Sequence, residues 1–82
     1  MTLELYTEVA LTQNIAEHSL KIGDVATLVD FVTHPKSGEE GCVLEVFNAV
    51  GELIGVVTVP ISAIKSLSAN EILTARPLEQ AS

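Results

Sequence analysis

The chain has 82 residues, of which 48% are hydrophobic, and a formal net charge of −7 from eleven acidic and four basic side chains. This length suits one domain with a small core, and no apolar run approaches the roughly 20 residues of a membrane-spanning helix. An acidic surface repels phosphate backbones, so the charge disfavours nucleic acid as a partner, and a start without a basic signal-peptide head predicts a cytoplasmic protein.

The predicted secondary structure is mostly extended. Short β-branched and aliphatic runs between turn residues predict five strands, over 8–11, 25–32, 42–47, 52–59 and 71–76. One turn of 3₁₀ or α-helix is expected over 61–65, because Pro60 can start it and Ile61 and Ile64 then face the core together. Residues 79–82 are predicted to be a frayed tail.

The first strand leads into a polar loop over 12–22. Ile15 is its isolated apolar residue, which we expect to be tucked under the sheet, and a single helical turn around 16–18 fits the loop. Gly23 begins a tight turn, because glycine reaches positive φ at no steric cost. Asp24 is expected to cap this turn through hydrogen bonds with its own backbone.

The second strand is apolar on both faces. Strict alternation gives one face to Val25, Thr27, Val29 and Phe31, and the other to Ala26, Leu28, Asp30 and Val32. Asp30 is the exception on its face. We expect it to point outward as a charge that discourages edge pairing, with an ion pair to Lys21 or Arg76 as the alternative. Residues 33–41, rich in glycine and charge, are predicted to form a mobile loop.

Strands three and four are predicted to form a hairpin around Asn48–Gly51. Cys42, Leu44 and Val46 are predicted to face inward and Phe47 outward. The run Leu53–Val59 is apolar, uncharged and β-prone. Such a run is an aggregation hazard on an exposed edge, so we expect it to be central or paired.

Five short strands, a long first loop and one helical turn before the last strand are typical of a small SH3-like barrel. The sequence therefore predicts an all-β chain in which 1–82 is a single domain with its core over about 7–78. The alternative is a meander sheet that completes its core by dimerising.

Several segments resemble a family of short bacterial proteins, domain of unknown function 4926, over about 9–78. The matching residues are Val9-Ala10-Leu11, Glu17-His18, Leu20-Lys21, Gly23-Asp24-Val25, Glu45, Phe47, Gly51-Glu52, Thr58-Val59-Pro60 and Arg76-Pro77. The resemblance implies a small SH3-like barrel without established catalytic or ligand residues. Some relatives lie beside other small genes, which is compatible with an antidote-like role toward a neighbouring gene product.

The chain departs from the family at Ala16, Ser19 and Ala26, where relatives often have proline, glycine and glycine. Side chains at Ser19 and Ala26 predict that both backbone positions are reached here without positive φ. Ala16 leaves the first loop less rigid.

No pattern predicts a catalytic, metal or cofactor site. His18, His34 and Cys42 are too scattered for a metal or a nucleophilic triad. Cys42 opens an apolar run and is interpreted as a buried small hydrophobe. The adjacent acids Glu39 and Glu40 lack the alternate spacing of a calcium loop.

We therefore expect a non-catalytic protein-interaction module without cofactors, which binds another protein and is able to self-associate. Glu17, His18 and the outward-facing Phe47 are the candidate partner-binding residues. A nucleic-acid- or ribosome-associated barrel is the alternative, suggested by the Gly23-Asp24 turn and opposed by the charge. Proline-rich recognition is disfavoured, because Tyr6, Phe31 and Phe47 lie in distant segments.

Overall fold

The computed structural model describes residues 3–33 and 38–78, which form one sheet of five antiparallel strands. The strands are β1 (Thr7–Leu11), β2 (Val25–Val32), β3 (Gly41–Phe47), β4 (Leu53–Pro60) and β5 (Ile64–Ser66). Two short 3₁₀ turns are η1 (Ala16–His18) and η2 (Ile61–Ala63). The all-β prediction is confirmed, and β1 to β4 begin and end within one residue of their predicted bounds.

The strands follow the order β4-β3-β2-β1-β5 across the sheet. β4 and β5 are the two edges, and no ladder joins them in the described part of the chain, so the sheet does not close into a barrel. In residues 3–33 and 38–78, neither 3₁₀ turn has the length or the apolar character needed to cross a membrane.

The prediction of a last strand over 71–76 is wrong. The last strand is β5, which follows η2 directly because Ile64 lies opposite Leu11 of β1 and is buried there. A strand of three residues is too short to show alternation in the sequence. Residues 67–78 form no strand, and Ile72 exposes 90% of its surface.

The core lies on one face of the sheet, as the inward positions of β3 predicted. Leu28 and Leu44 are cross-strand neighbours and both are fully buried. The other buried members of this cluster are Val9, Leu11, Leu20, Ala26, Cys42, Val46, Val59, Ala63 and Ile64. Burial, with Glu40 and Glu39 adding to it, raises the pKa of the Cys42 thiol, which therefore behaves as a small core hydrophobe.

A β-bulge changes the predicted faces of β2. Leu28 pairs with Leu44 and Asp30 with Val43, which leaves Val29 as an extra residue. The alternation restarts after this residue, so Phe31 packs against the core and Asp30 is exposed. The outward position of Asp30 is confirmed, and the assignment of Phe31 to the opposite face from Leu28 is wrong.

The loop between β1 and β2 folds much as predicted. Ile15 packs against the core and bridges to Leu20, and Gly23 has a φ of 89°. Asp24 accepts a hydrogen bond of 2.8 Å from the backbone nitrogen of Lys21, which confirms the turn cap. Ser19 has a φ of 57°, so the prediction that this position avoids positive φ is wrong.

His34 and the tail over 79–82 lie outside the described residues.

Candidate interaction surface

Four large apolar side chains are exposed near one another on β3 and β4, and we name them the β3–β4 patch. Phe47 exposes 40% of its surface, Leu53 53%, Ile54 43% and Val56 57%. The ladder sets Phe47 opposite Leu53 and Glu45 opposite Val56. Glu45 and Phe47 alternate onto the same face of β3, so Leu53 and Val56 share that face.

The local sequence of β4 explains why these side chains are outside. Val57 packs against the core and Val59 is buried, so both face inward. Side chains alternate along a strand, and Val56, the residue before Val57, therefore faces outward. Val46 pairs with Gly55 and Phe47 with Leu53, which makes Ile54 an extra residue in β4. This bulge brings Leu53 onto the outer face beside Phe47.

The main chain of β4 also presents an open edge. Ile61 donates a 2.9 Å hydrogen bond to the carbonyl of Glu40, which makes these two residues a hydrogen-bonded pair of the antiparallel ladder. Such pairs alternate along a ladder, so the N–H and C=O groups of Val56 and Thr58 point away from β3. No other strand pairs with this edge within the residues that the structure describes. Pro60, which has no N–H, ends it.

Acidic side chains lie on the same outer face. Cross-strand pairs connect Glu8, Thr27, Glu45 and Val56 in one row from β1 to β4. Asp30 lies on the same face, opposite Val43. By contrast, Leu53–Pro60 contains no ionisable side chain. The patch is therefore an uncharged apolar strip beside a row of carboxylates.

The three candidate partner-binding residues fall on two different elements. Phe47 belongs to the β3–β4 patch, whereas Glu17 and His18 are exposed on η1 in the β1–β2 loop. Leu53, Ile54 and Val56 were not predicted from the sequence as surface residues. Their apolar, uncharged run was the available signal, and it was interpreted as evidence for a central or paired strand. Within the described residues, β4 instead lies at an edge and pairs with β3 alone.

Two open grooves, of about 340 and 650 Å³, lie beside β5 and the segment that follows it. Lys65 and Glu71 are the ionisable residues that line each groove. They form an ion pair in which Nζ of Lys65 lies 2.6 Å from Oε2 of Glu71. The ammonium of Lys65 and donors of Ser68 lower the pKa of Glu71 to about 2. This arrangement holds the carboxylate charged and does not activate a nucleophile.

Across residues 3–33 and 38–78, no three His, Cys, Asp or Glu side chains come together as a metal site would require. Comparisons of the chain with protein-family models, curated proteins and solved structures found no match.

Proposed function

We propose that this chain is a non-catalytic protein-interaction module that binds a partner protein through the β3–β4 patch. The observation that carries the proposal is the exposure of Leu53, Ile54 and Val56 on the edge strand β4, next to the exposed Phe47 at the end of β3. Exposed apolar residues grouped in this way mark protein-binding surfaces, whereas scattered ones need no explanation.

We propose a half-open SH3-like barrel, in which the sheet curls without closing, as the framework of the module. A long first loop, a sequential run of antiparallel pairs from β1 to β4, and a 3₁₀ turn before β5 agree with that architecture. The resemblance to domain of unknown function 4926 points to the same framework, and it is compatible with a partner encoded nearby.

Charge favours protein over nucleic acid as the partner. The guanidinium of Arg76 binds Asp24, and the ammonium of Lys65 binds Glu71. Both cations are thereby neutralised locally, while the outer face carries Glu8, Asp30 and Glu45. Binding to phosphate backbones depends on Lys and Arg that displace counterions, whereas Lys65, which lies on this face opposite Ala10, is paired with Glu71.

The test is affinity capture from the native host with and without nuclease, using wild-type protein, Val56→Lys and the control Ile72→Lys. Both substitutions place a lysine on an exposed apolar position, but Ile72 lies outside the patch. We expect one nuclease-resistant partner that wild type and Ile72→Lys retain and that Val56→Lys loses. A partner retained equally by all three proteins would refute the assignment of the patch, and recovery that depends on nucleic acid would support the alternative.

A further capture with Glu17→Gln and His18→Gln tests whether η1 contributes to binding. Retention of the partner by these variants would restrict the surface to the β3–β4 patch.

A further inference from the structure

We propose that the module binds its partner by strand addition: an extended, basic segment of the partner pairs with the open edge of β4. This inference rests on the proposed function and specifies the occupant of its surface. The incoming strand would extend the sheet beyond β4, with some of its side chains lying on the β3–β4 patch.

The main chain supplies the first reason. Val56 and Thr58 each present an N–H and a C=O to the open edge, and a paired strand satisfies such groups at the spacing of an ordinary ladder. The bulge at Ile54 and the proline at position 60 end the regular stretch on either side. An added strand can therefore pair with β4 over the short stretch between Ile54 and Pro60.

Charge complementarity supplies the second reason. An added strand lies about 4.8 Å from β4, so its residue opposite Val56 is about 10 Å from Glu45 in the same row. An extended Lys or Arg at that position can lay its alkyl chain over Val56 and bring its charge to Glu45. The carboxylate of Glu8 continues the attraction further along the row.

The same charges oppose a second copy of the chain as the occupant. Each copy has a net charge of −7, and β4 carries no cation that could offset repulsion between two acidic outer faces. The partner segment is thus expected to place a basic residue opposite Val56 and an apolar residue beside Leu53 and Phe47.

The experiment is selection of short random peptides displayed on phage, against wild-type protein and then against Thr58→Pro and Thr58→Ala. Thr58→Pro removes one N–H from the open edge and leaves the bonds to β3, whereas Thr58→Ala keeps the N–H. We expect selected peptides in which Lys or Arg alternates with apolar residues. They should bind Thr58→Ala like wild type and Thr58→Pro at least roughly tenfold more weakly.

Amide hydrogen exchange of the wild type provides a second measurement that does not depend on the folding of Thr58→Pro. A selected peptide should protect the amides of Val56 and Thr58. Failure to select binders, selected peptides without basic residues, or binding that leaves both amides unprotected would overturn the inference. Protection that grows with protein concentration alone would also overturn it, since a second copy would then occupy the edge.

The two proposals fail in different ways. A native partner that is lost with Val56→Lys but retained with Thr58→Pro would leave the proposed function standing and refute strand addition.

Discussion

The guanidinium of Arg76 holds both carboxylate oxygens of Asp24, although the two residues are 52 positions apart. Nε donates to Oδ1 at 2.8 Å and Nη2 to Oδ2 at 2.5 Å, while Nη2 also donates to the carbonyl of Ser19 at 3.0 Å. The same carboxylate caps the Lys21–Asp24 turn. Arg76 thereby fastens the segment after β5 to the β1–β2 loop.

Loss of this attachment should destabilise the protein. We expect Arg76→Ala to lower the free energy of unfolding by about 1–2 kcal/mol, because two charge-assisted hydrogen bonds to a half-buried carboxylate are removed. Urea denaturation measures the change. Arg76→Lys keeps the charge but cannot bind with two parallel donors, so it should recover part of the loss. Equal stability of Arg76→Ala and wild type would contradict the prediction.

The pKa of Asp24 gives the attachment a pH dependence. Arg76, with the backbone N–H of Lys21, holds this pKa below its ordinary value against the opposing effect of burial. A pKa lowered by folding stabilises the native state above the unfolded pKa, and this contribution is lost as the pH falls through the folded value. The stability difference between wild type and Asp24→Asn should therefore be largest near neutral pH and shrink below about pH 4. A difference that stays constant on acidification would contradict this explanation.

The carboxyl group of Glu71 should titrate unusually low, at a pKa of about 2, because Lys65 and Ser68 donate to it. Carbon-detected NMR titration of the side chain measures this value. Lys65→Gln should move the pKa toward the ordinary value of about 4.3, and only partly, since the donors of Ser68 remain. An unchanged titration in Lys65→Gln would show that the ion pair is not formed in solution.

The sequence was sufficient to predict β1 to β4, which supply most of the core side chains. Val25–Val32 was located without error, because a long β-branched run between a Gly-Asp turn and a loop has few other interpretations. The bulge at Val29 could not be read from this run. It depends on how β2 meets β3, and it decides that Phe31 faces inward while Asp30 faces outward.

The candidate interaction surface was only partly predictable from the sequence. Phe47 was recognised as outward-facing from simple alternation, but the exposure of Val56 depends on β4 being an edge, which is a property of the whole sheet. The pairing of Arg76 with Asp24 joins distant segments, and the sequence suggested an ion pair to Arg76 only as the alternative for Asp30. The preference for a strand over 71–76 failed because tertiary pairing of Ile64 with Leu11 outweighed local β-propensity.

Ser19 offers a stabilising substitution. Its φ of 57° lies in the left-handed region, which a side chain disfavours by about 1 kcal/mol or more. Ser19→Gly should raise the free energy of unfolding by roughly 0.5–1 kcal/mol after the greater chain entropy of glycine is subtracted. The backbone carbonyl that accepts from Arg76 is kept. Glu17→Gly is the matched control in the same loop and should destabilise, since Glu17 has no positive φ; a gain in both variants would refute this reasoning.

Two glycines of the β3–β4 hairpin should respond differently to the same added methyl group. A Cβ at Gly41 would lie 2.9 Å from Cγ2 of Val32 and 3.4 Å from Cγ2 of Thr58, whereas a Cβ at Gly55 would have no neighbour within 4 Å. Neither residue has a positive φ, so packing decides the outcome. Gly41→Ala should lower the free energy of unfolding by about 1–3 kcal/mol, because the added methyl group overpacks this site. Gly55→Ala should leave the free energy of unfolding unchanged or raise it by at most about 1 kcal/mol, because alanine loses less conformational entropy than glycine when the strand forms. Chemical denaturation of the two variants beside wild type measures both changes, and equal costs would mean that β2, β3 and β4 do not meet at Gly41 as described.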